Sequence, residues 1–253
     1  MDLAERVSTL RRVNGLSARQ LAGLVGVAPT TVTRIESGDV SPSFDLAQEI
    51  LAVLGEPIGF TGSADTEAIA AARLAVDPSL DLVATPGVDL WRRRWARIGL
   101  VDGSGRVAAG KQADLLFLAG RAARLTRRPG AADFHAGPTA YDLAEVLGGA
   151  GVRYALTGDA GANLYRSSAG EMWPVLYVED VERAAETARL ERKVPGSFGM
   201  RVTLIPFDGV CEVGRTEIDG VVVAARDQVV LDAYGGIDRM VEQADILLGR
   251  RAA

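Results

Sequence analysis

The sequence is poor in residues that form disulfides and metal sites. Its 253 residues include one cysteine, Cys211, and one histidine, His135. A single cysteine excludes an internal disulfide, and one histidine with one distant cysteine falls short of the ligands that a protein zinc site needs. We therefore expect no metal site, and no catalytic residue at His135.

Long apolar runs are missing as well. No stretch reaches the roughly 18–20 apolar residues that a membrane-spanning helix needs. Residues 1–6 are acidic and helical in pattern, which is not typical of a signal peptide. The composition also fits a reducing compartment. These features predict a cytoplasmic protein with no membrane partner and no cofactor.

The chain as a whole has no excess of positive charge. Its formal net charge is −5, yet residues 91–130 contain ten basic and two acidic side chains. Local charge matters more for attracting nucleic acid than the total does. This segment predicts a secondary basic surface, made up of Arg92, Arg93, Arg94, Arg97, Arg127 and Arg128.

The first 54 residues have the pattern of four or five short helices. Ser17 is a good N-cap, Gly26 suits a tight turn, and Pro29 suits a first helical position, where its missing N–H costs nothing. Pro42-Ser43 opens the next helix. The helical period predicts an inward-facing set of apolar residues: Leu3, Val7, Leu10, Val13, Leu21, Ala22, Leu24, Val32 and Ile35.

Residues 17–22 and 26–38 resemble the helix-turn-helix of the Cro/phage-repressor (XRE) family. The resemblance lies in the small Ala22 where two helices cross, the turn at Gly26, and the end of the second helix at Glu36 and Gly38. It implies a DNA-binding domain over residues 1–54, whose second helix lies in the major groove of double-stranded DNA. It also implies a homodimer on a two-fold symmetric site.

The resemblance assigns DNA contacts to two groups of residues. Side chains at the start and on the outer face of the second helix reach base edges, and Arg34 can donate two hydrogen bonds to guanine. The others lie near phosphates, where contacts position the protein without specifying sequence. The base-facing residues are Pro29, Thr30, Thr33 and Arg34, and the phosphate-facing ones are Ser17, Arg19, Thr31 and Ser43.

The rest of the chain predicts a multi-domain protein. After the all-α domain, residues 55–65 have the composition of a linker, and residues 66–147 form a helical, basic middle region. From residue 148 to 253, apolar strand patterns alternate with helical ones, which predicts an α/β domain. The strands are expected at residues 152–156, 174–178, 200–207 and 221–225.

Residues 154–158 with 162–165, and residues 221–232, resemble the AbiEi-like antitoxins of type IV toxin–antitoxin systems. That family implies a nucleotidyltransferase-like fold, with the turn at residues 157–161 facing a nucleotide phosphate in active relatives. Active members carry an Asp-x-Asp metal pair on the next strand, whereas residues 174–178 contain no carboxylate. Glu179 and Asp180 are adjacent, point to opposite faces, and are expected to cap the following helix.

These patterns favour a sequence-specific transcriptional regulator, an autorepressing antitoxin that binds DNA and a cognate toxin, with no enzyme activity. The alternatives are an active nucleotidyltransferase fused to a DNA-binding domain, and a ligand-responsive repressor with a pocket near residues 157–161. The basic segment has three interpretations: it adds to DNA binding, binds an acidic protein, or pairs with the acidic C-terminal domain of the same chain.

Overall fold

A computed structural model describes residues 2–54, 64–135, 137–166, 173–194, 199–236 and 239–250. The chain forms two compact units, residues 1–62 and residues 63–253. Each unit has its own apolar core. The predicted linker at residues 55–65 lies outside the described residues, apart from Ala64 and Asp65. None of the described helices is both long and apolar enough to cross a membrane.

The first unit consists of four short helices around a small core. Val7, Leu21, Val32, Ile35 and Ile50 are buried at its centre, and each helix contributes at least one of them. The helices are α1 (Leu3–Val13), α2 (Ala18–Leu24), α3 (Pro29–Glu36) and α4 (Phe44–Val53).

The second unit combines eight α-helices with a six-stranded sheet in the part of the chain that is described. Its first helices are α5 (Glu67–Val76), α6 (Pro86–Arg97) and α7 (Gln112–Ala122), followed by a 3₁₀ turn at Leu125–Arg127. The remaining elements are β1 (Ala132–His135), α8 (Ala140–Gly149), β2 (Tyr154–Thr157), α9 (Gly158–Tyr165), β3 (Pro174–Val178), α10 (Val181–Thr187), β4 (Arg201–Pro206), β5 (Thr216–Ile218), β6 (Val221–Val223), α11 (Arg226–Gly235) and α12 (Arg239–Leu247).

The sheet is mixed, with strand order β1-β4-β3-β2-β6-β5. The central pair β2–β3 is antiparallel, while β3–β4 and β2–β6 are parallel. Every residue of β2 and β3 is buried, which explains their continuous apolar sequence. The outer pairs β1–β4 and β5–β6 are antiparallel and close the two edges.

The sequence predicts a domain boundary after residue 147, but the structure has no such boundary within residues 63–253. One apolar core includes residues of α5, α6 and α7 together with residues of β2, β3, β4 and α11, so the helical region and the α/β region form one unit. The backbones of α7 and α11 approach closely at Gly120. A Cβ on this residue would lie 2.4 Å from the carbonyl oxygen of Leu231, so only glycine fits the crossing.

Four strand predictions are confirmed in position, and two strands were missed. The missed strands, β1 and β5, are three or four residues long and lie near or at the sheet edges, so they lack the apolar alternation that marks a strand. Two burial predictions are wrong. Val13 and Leu24 end their helices, so these side chains project past the packed faces and are exposed.

Candidate nucleic-acid interface

Local sequence signals set the ends of α2 and α3. Ser17 Oγ accepts a hydrogen bond from the Gln20 N–H at 3.2 Å, and the Gln20 side chain accepts from the Ser17 N–H at 2.8 Å, which completes a capping box. Gly26 has a φ of +66°, the left-handed region that favours glycine, and makes the turn. Pro29 is the first residue of α3. These three predictions are confirmed.

Helix α3 divides into a buried and an exposed face. Val32 and Ile35 are buried against the core of the first unit. The four residues assigned to base edges, Pro29, Thr30, Thr33 and Arg34, are exposed on the same helix. The structure therefore leaves one face of α3 available for the major groove.

The exposed polar groups of α3 differ in how freely they can bind. Thr33 Oγ1 donates to the carbonyl oxygen of Thr30 at 3.0 Å, so its hydroxyl proton is used within the helix. The Arg34 guanidinium forms no hydrogen bond or ion pair with the described residues. All of its donors are available for a base or a phosphate.

The residues assigned to phosphates differ in their exposure and hydrogen bonding. Arg19 on α2 is exposed, whereas Thr31 is half-buried. Ser17 caps α2, and Ser43 Oγ accepts from the Leu46 N–H at 3.3 Å at the start of α4. Both serines are exposed, so each can still donate its hydroxyl proton to a phosphate oxygen.

An ion pair that the sequence analysis did not identify holds α3 in place. Arg11 Nε and Nη2 on α1 donate to the two carboxylate oxygens of Glu36 at 2.6 and 2.8 Å, and Arg11 Nη1 donates to the carbonyl oxygen of Leu16 at 2.7 Å. The side chains are 14% and 11% exposed. The hydrogen bond with Glu36 raises the pKa of Arg11. This bidentate pair ties the end of α3 to α1.

Comparison with known proteins agrees with this geometry. A helix-turn-helix family model matches residues 9–60. The chain is also 30% identical over 109 residues to the HTH-type transcriptional regulator DdrOP3 of Deinococcus deserti, covering 40% of this chain and 82% of that protein. The chain belongs to the helix-turn-helix transcriptional regulators. No solved structure matches it.

The predicted secondary basic surface of this regulator is wrong for one residue. Arg128 is buried, whereas Arg93, Arg94, Arg97 and Arg127 are exposed. Arg92 is half-buried and donates to the carbonyl oxygen of Gly105 at 3.2 Å. The fold therefore buries one arginine of the predicted surface and leaves four others exposed. The interpretation that the segment pairs with a C-terminal carboxylate is correct for Arg128.

Arg128 belongs to a buried polar network. Its Nη2 donates to Asp232 Oδ1 at 2.6 Å, and Thr157 Oγ1 and the Tyr177 hydroxyl each donate to Asp232 Oδ2 at 2.7 Å. Gln228 Nε2 reaches Asp232 Oδ1 at 3.0 Å. Burial raises the pKa of Tyr177 well above its usual value, so its hydroxyl remains a donor. The network joins β2, β3 and α11 to the end of the 3₁₀ turn.

The predicted phosphate-facing turn at residues 157–161 is covered in the structure. All five residues are buried, and α9 begins directly after Thr157. A Cβ on Gly158 would lie 2.6 Å from Met240 Cε of α12, so the helix packs directly on the turn. The turn therefore does not present an open surface to a phosphate.

The carboxylates after β3 have structural partners. Asp180 Oδ1 accepts from the Arg183 N–H at 2.8 Å and caps α10, which confirms the prediction for this residue. Glu179 accepts from Arg183 Nη1 at 2.8 Å. Among the described residues there is no cluster of three or more groups that could hold a metal ion.

A groove of about 450 Å³ lies between α7 and α12. Phe117 and Leu118 are partly exposed on its α7 side, and Val241 and Asp245 line its α12 side. The Tyr234 hydroxyl donates to Asp245 Oδ1 at 2.7 Å at the groove wall. This groove shares none of its lining with the turn at residues 157–161.

Proposed function

We propose that this regulator is a sequence-specific repressor that reads the major groove with α3. The supporting observation is the exposed face of α3, which presents Thr30, Thr33 and a fully available Arg34 guanidinium on a helix fixed by the Arg11–Glu36 pair. A positioned helix with free donors at its surface is what direct readout of base edges needs.

Replacing Arg34 with Ala is expected to weaken operator binding by about 1–3 kcal/mol and to relax specificity at one base position. Selection of bound sequences from a random pool, followed by affinity measurement on single-base operator variants, checks both effects. Arg12→Ala is the matched control, because Arg12 is an exposed arginine of the same unit outside the site. An equal loss on every sequence would show that Arg34 contacts a phosphate.

The regulator binds as a homodimer in this proposal. Residues 1–54 contain five basic and six acidic side chains, and one of the five, Arg11, is held by Glu36. One such unit makes few phosphate contacts, so a second copy is needed for tight binding. A two-fold dimer places its half-sites about one helical turn of DNA apart.

The finer proposal is that the repressor is an antitoxin that controls its own operon. Its support is the resemblance of residues 154–158, 162–165 and 221–232 to the AbiEi-like antitoxins, together with the arrangement of these segments. They form β2 with α9, and β6 with α11, around the centre of the sheet. In this proposal the unit of residues 63–253 binds the toxin.

The same unit has no enzyme activity in this proposal. Strand β3 contains no carboxylate, and Glu179 and Asp180 are used in an ion pair and a helix cap. The alternative of an active nucleotidyltransferase would be revived by metal-dependent transfer of labelled nucleotide that is lost in Glu179→Gln. The alternative of a ligand-responsive repressor would have to use the groove between α7 and α12.

Co-expression tests the antitoxin proposal. We expect the open reading frame adjacent to this gene to stop growth when induced alone and to be tolerated when this protein is co-expressed. The matched control is Arg34→Ala, which is expected to lose repression of the operon and to keep neutralisation, because Arg34 lies in the other unit. A neighbour that is harmless when induced alone would contradict the antitoxin role and leave a repressor.

A further inference from the structure

Helix α6 has an outer face made of arginine. Leu90, Arg93, Arg94 and Arg97 are spaced i, i+3, i+4 and i+7, which places them on one side of the helix. All four are exposed. The three arginine side chains form no hydrogen bond or ion pair with the part of the chain that the structure describes, although the Arg94 guanidinium lies 4.9 Å from the centre of the Trp91 ring.

The inner face of α6 explains why these arginines point outward. Val88, Trp91, Arg92 and Trp95 have the same helical spacing on the opposite side. Val88 and Trp95 are buried, and Trp91 Nε1 donates to Asp65 Oδ2 at 2.8 Å. Packing of this face therefore holds the helix in one orientation, with its charge directed at solvent.

A short hairpin is attached to the inner side of the helix. Val101 and Val107 form an antiparallel bridge. The Asp102 carboxylate accepts from Ser104 Oγ at 2.7 Å and from the Arg106 N–H at 3.1 Å, which shapes the loop between them. Arg92 of the inner face donates to the carbonyl oxygen of Gly105, so the loop is attached there and leaves Arg93, Arg94 and Arg97 exposed.

We propose that Arg93, Arg94 and Arg97 of α6 form a second DNA-binding surface that contacts backbone phosphates. The positive guanidinium groups complement the negative phosphates, and the paired N–H donors of each group match the spacing of phosphate oxygens. The helix-turn-helix unit has no excess of basic side chains, so this surface supplies phosphate contacts that the unit itself lacks. The inference rests on DNA binding by this regulator and is independent of the antitoxin role.

Nucleic acid fits this face better than an acidic protein does. Protein interfaces depend on buried aromatic and apolar anchors. Trp95 is buried, Trp91 is half-buried beneath the Arg94 guanidinium, and within the outer face Leu90 is the one apolar side chain of the four. Contacts to phosphates need no such anchor, since they draw their free energy from the release of counterions.

The test uses the full chain and a duplex of random sequence, with binding followed by fluorescence anisotropy over a range of KCl concentrations. In the variant Arg93→Gln/Arg94→Gln/Arg97→Gln we expect affinity at low salt to fall at least about tenfold. The slope of log K against log salt is expected to become shallower by about 2–3, because each phosphate contact contributes about 0.9.

Two controls make the result decisive. Arg183→Gln/Arg192→Gln/Arg239→Gln removes the same charge from exposed positions of the same unit and is expected to leave the slope unchanged. Arg34→Ala, in the other unit, is expected to change the slope by one at most. The effect of the helix-turn-helix on DNA binding is therefore measured separately from the effect of α6. An α6 variant with the salt slope of the wild type would overturn the inference. Binding of fluorescent poly-glutamate is measured in parallel, and a variant that loses this binding but keeps DNA binding would assign the face to an acidic protein.

Discussion

Replacing Asp232 with Ala is expected to lower the free energy of unfolding of the 63–253 unit by about 3–5 kcal/mol. The Arg128 and Asp232 side chains are 1% and 0% exposed. Removing the carboxylate leaves the Arg128 guanidinium buried without a counter-ion, and leaves the hydroxyls of Thr157 and Tyr177 without their acceptor. An uncompensated buried charge costs far more than the ion pair itself contributes.

Tryptophan fluorescence during chemical denaturation measures this loss. All three tryptophans lie in the 63–253 unit, so the signal reports on this unit alone. The matched control is Asp114→Ala, which removes a half-exposed ion pair with Lys111 and is expected to cost no more than about 0.5 kcal/mol. A loss in Asp232→Ala as small as in Asp114→Ala would contradict the structural role of the network.

A second variant covers the case in which Asp232→Ala fails to fold. The pair Arg128→Met/Asp232→Leu replaces both charges with apolar side chains, and such replacements are often neutral for a buried ion pair. We expect it to recover part of the stability lost in Asp232→Ala. Recovery remains partial, because the hydroxyls of Thr157 and Tyr177 lose their acceptor in both variants.

Replacing Arg11 with Ala is expected to destabilise the helix-turn-helix unit by about 2–3 kcal/mol, and to weaken DNA binding as a consequence. The pair with Glu36 is partly exposed, so the loss is expected to be smaller than that for a fully buried pair. The variant also removes the donor to the carbonyl oxygen of Leu16. We expect α3 to lose its attachment to α1, although Arg11 lies outside the DNA-binding face.

Far-UV circular dichroism follows this change, since residues 2–54 are helical and contain no tryptophan. We expect an earlier loss of helical signal and no change in the tryptophan transition of the other unit. Arg12→Ala, at the next position and exposed, is the control and should leave both transitions in place. Arg11→Lys is expected to rescue only part of the loss, because lysine cannot form the bidentate pair. If Arg11→Ala unfolds like Arg12→Ala, the pair does not hold α3.

Much of the helix-turn-helix could be predicted because its signals are local. Ser17 caps α2 through a residue three positions away, Pro29 fits the first turn of α3, and Gly26 adopts the left-handed conformation that the turn needs. Each of these preferences arises from the backbone within one turn of the residue. The exposed face of α3 follows from the same helical period.

The second unit was predicted less completely. Apolar runs identified the strands that are buried on both faces, such as β3, because burial demands a continuous apolar sequence. The short strands β1 and β5 carry no such pattern, and β1 depends on pairing with β4 about 70 residues away in the chain. The union of residues 66–147 with the α/β region likewise depends on packing between distant elements, such as α7 on α11.

The amino-acid sequence by itself determined the helix-turn-helix, the exposed face of α3 and the presence of an α/β region, since short-range preferences and apolar periodicity specify them. The tertiary structure alone decided which charges are exposed and which hold the fold together. Arg128 and Arg93 belong to the same basic segment, yet one is buried against Asp232, 104 residues away, and the other is exposed. That difference arises from desolvation and long-range pairing, which depend on the whole fold and leave no local signal.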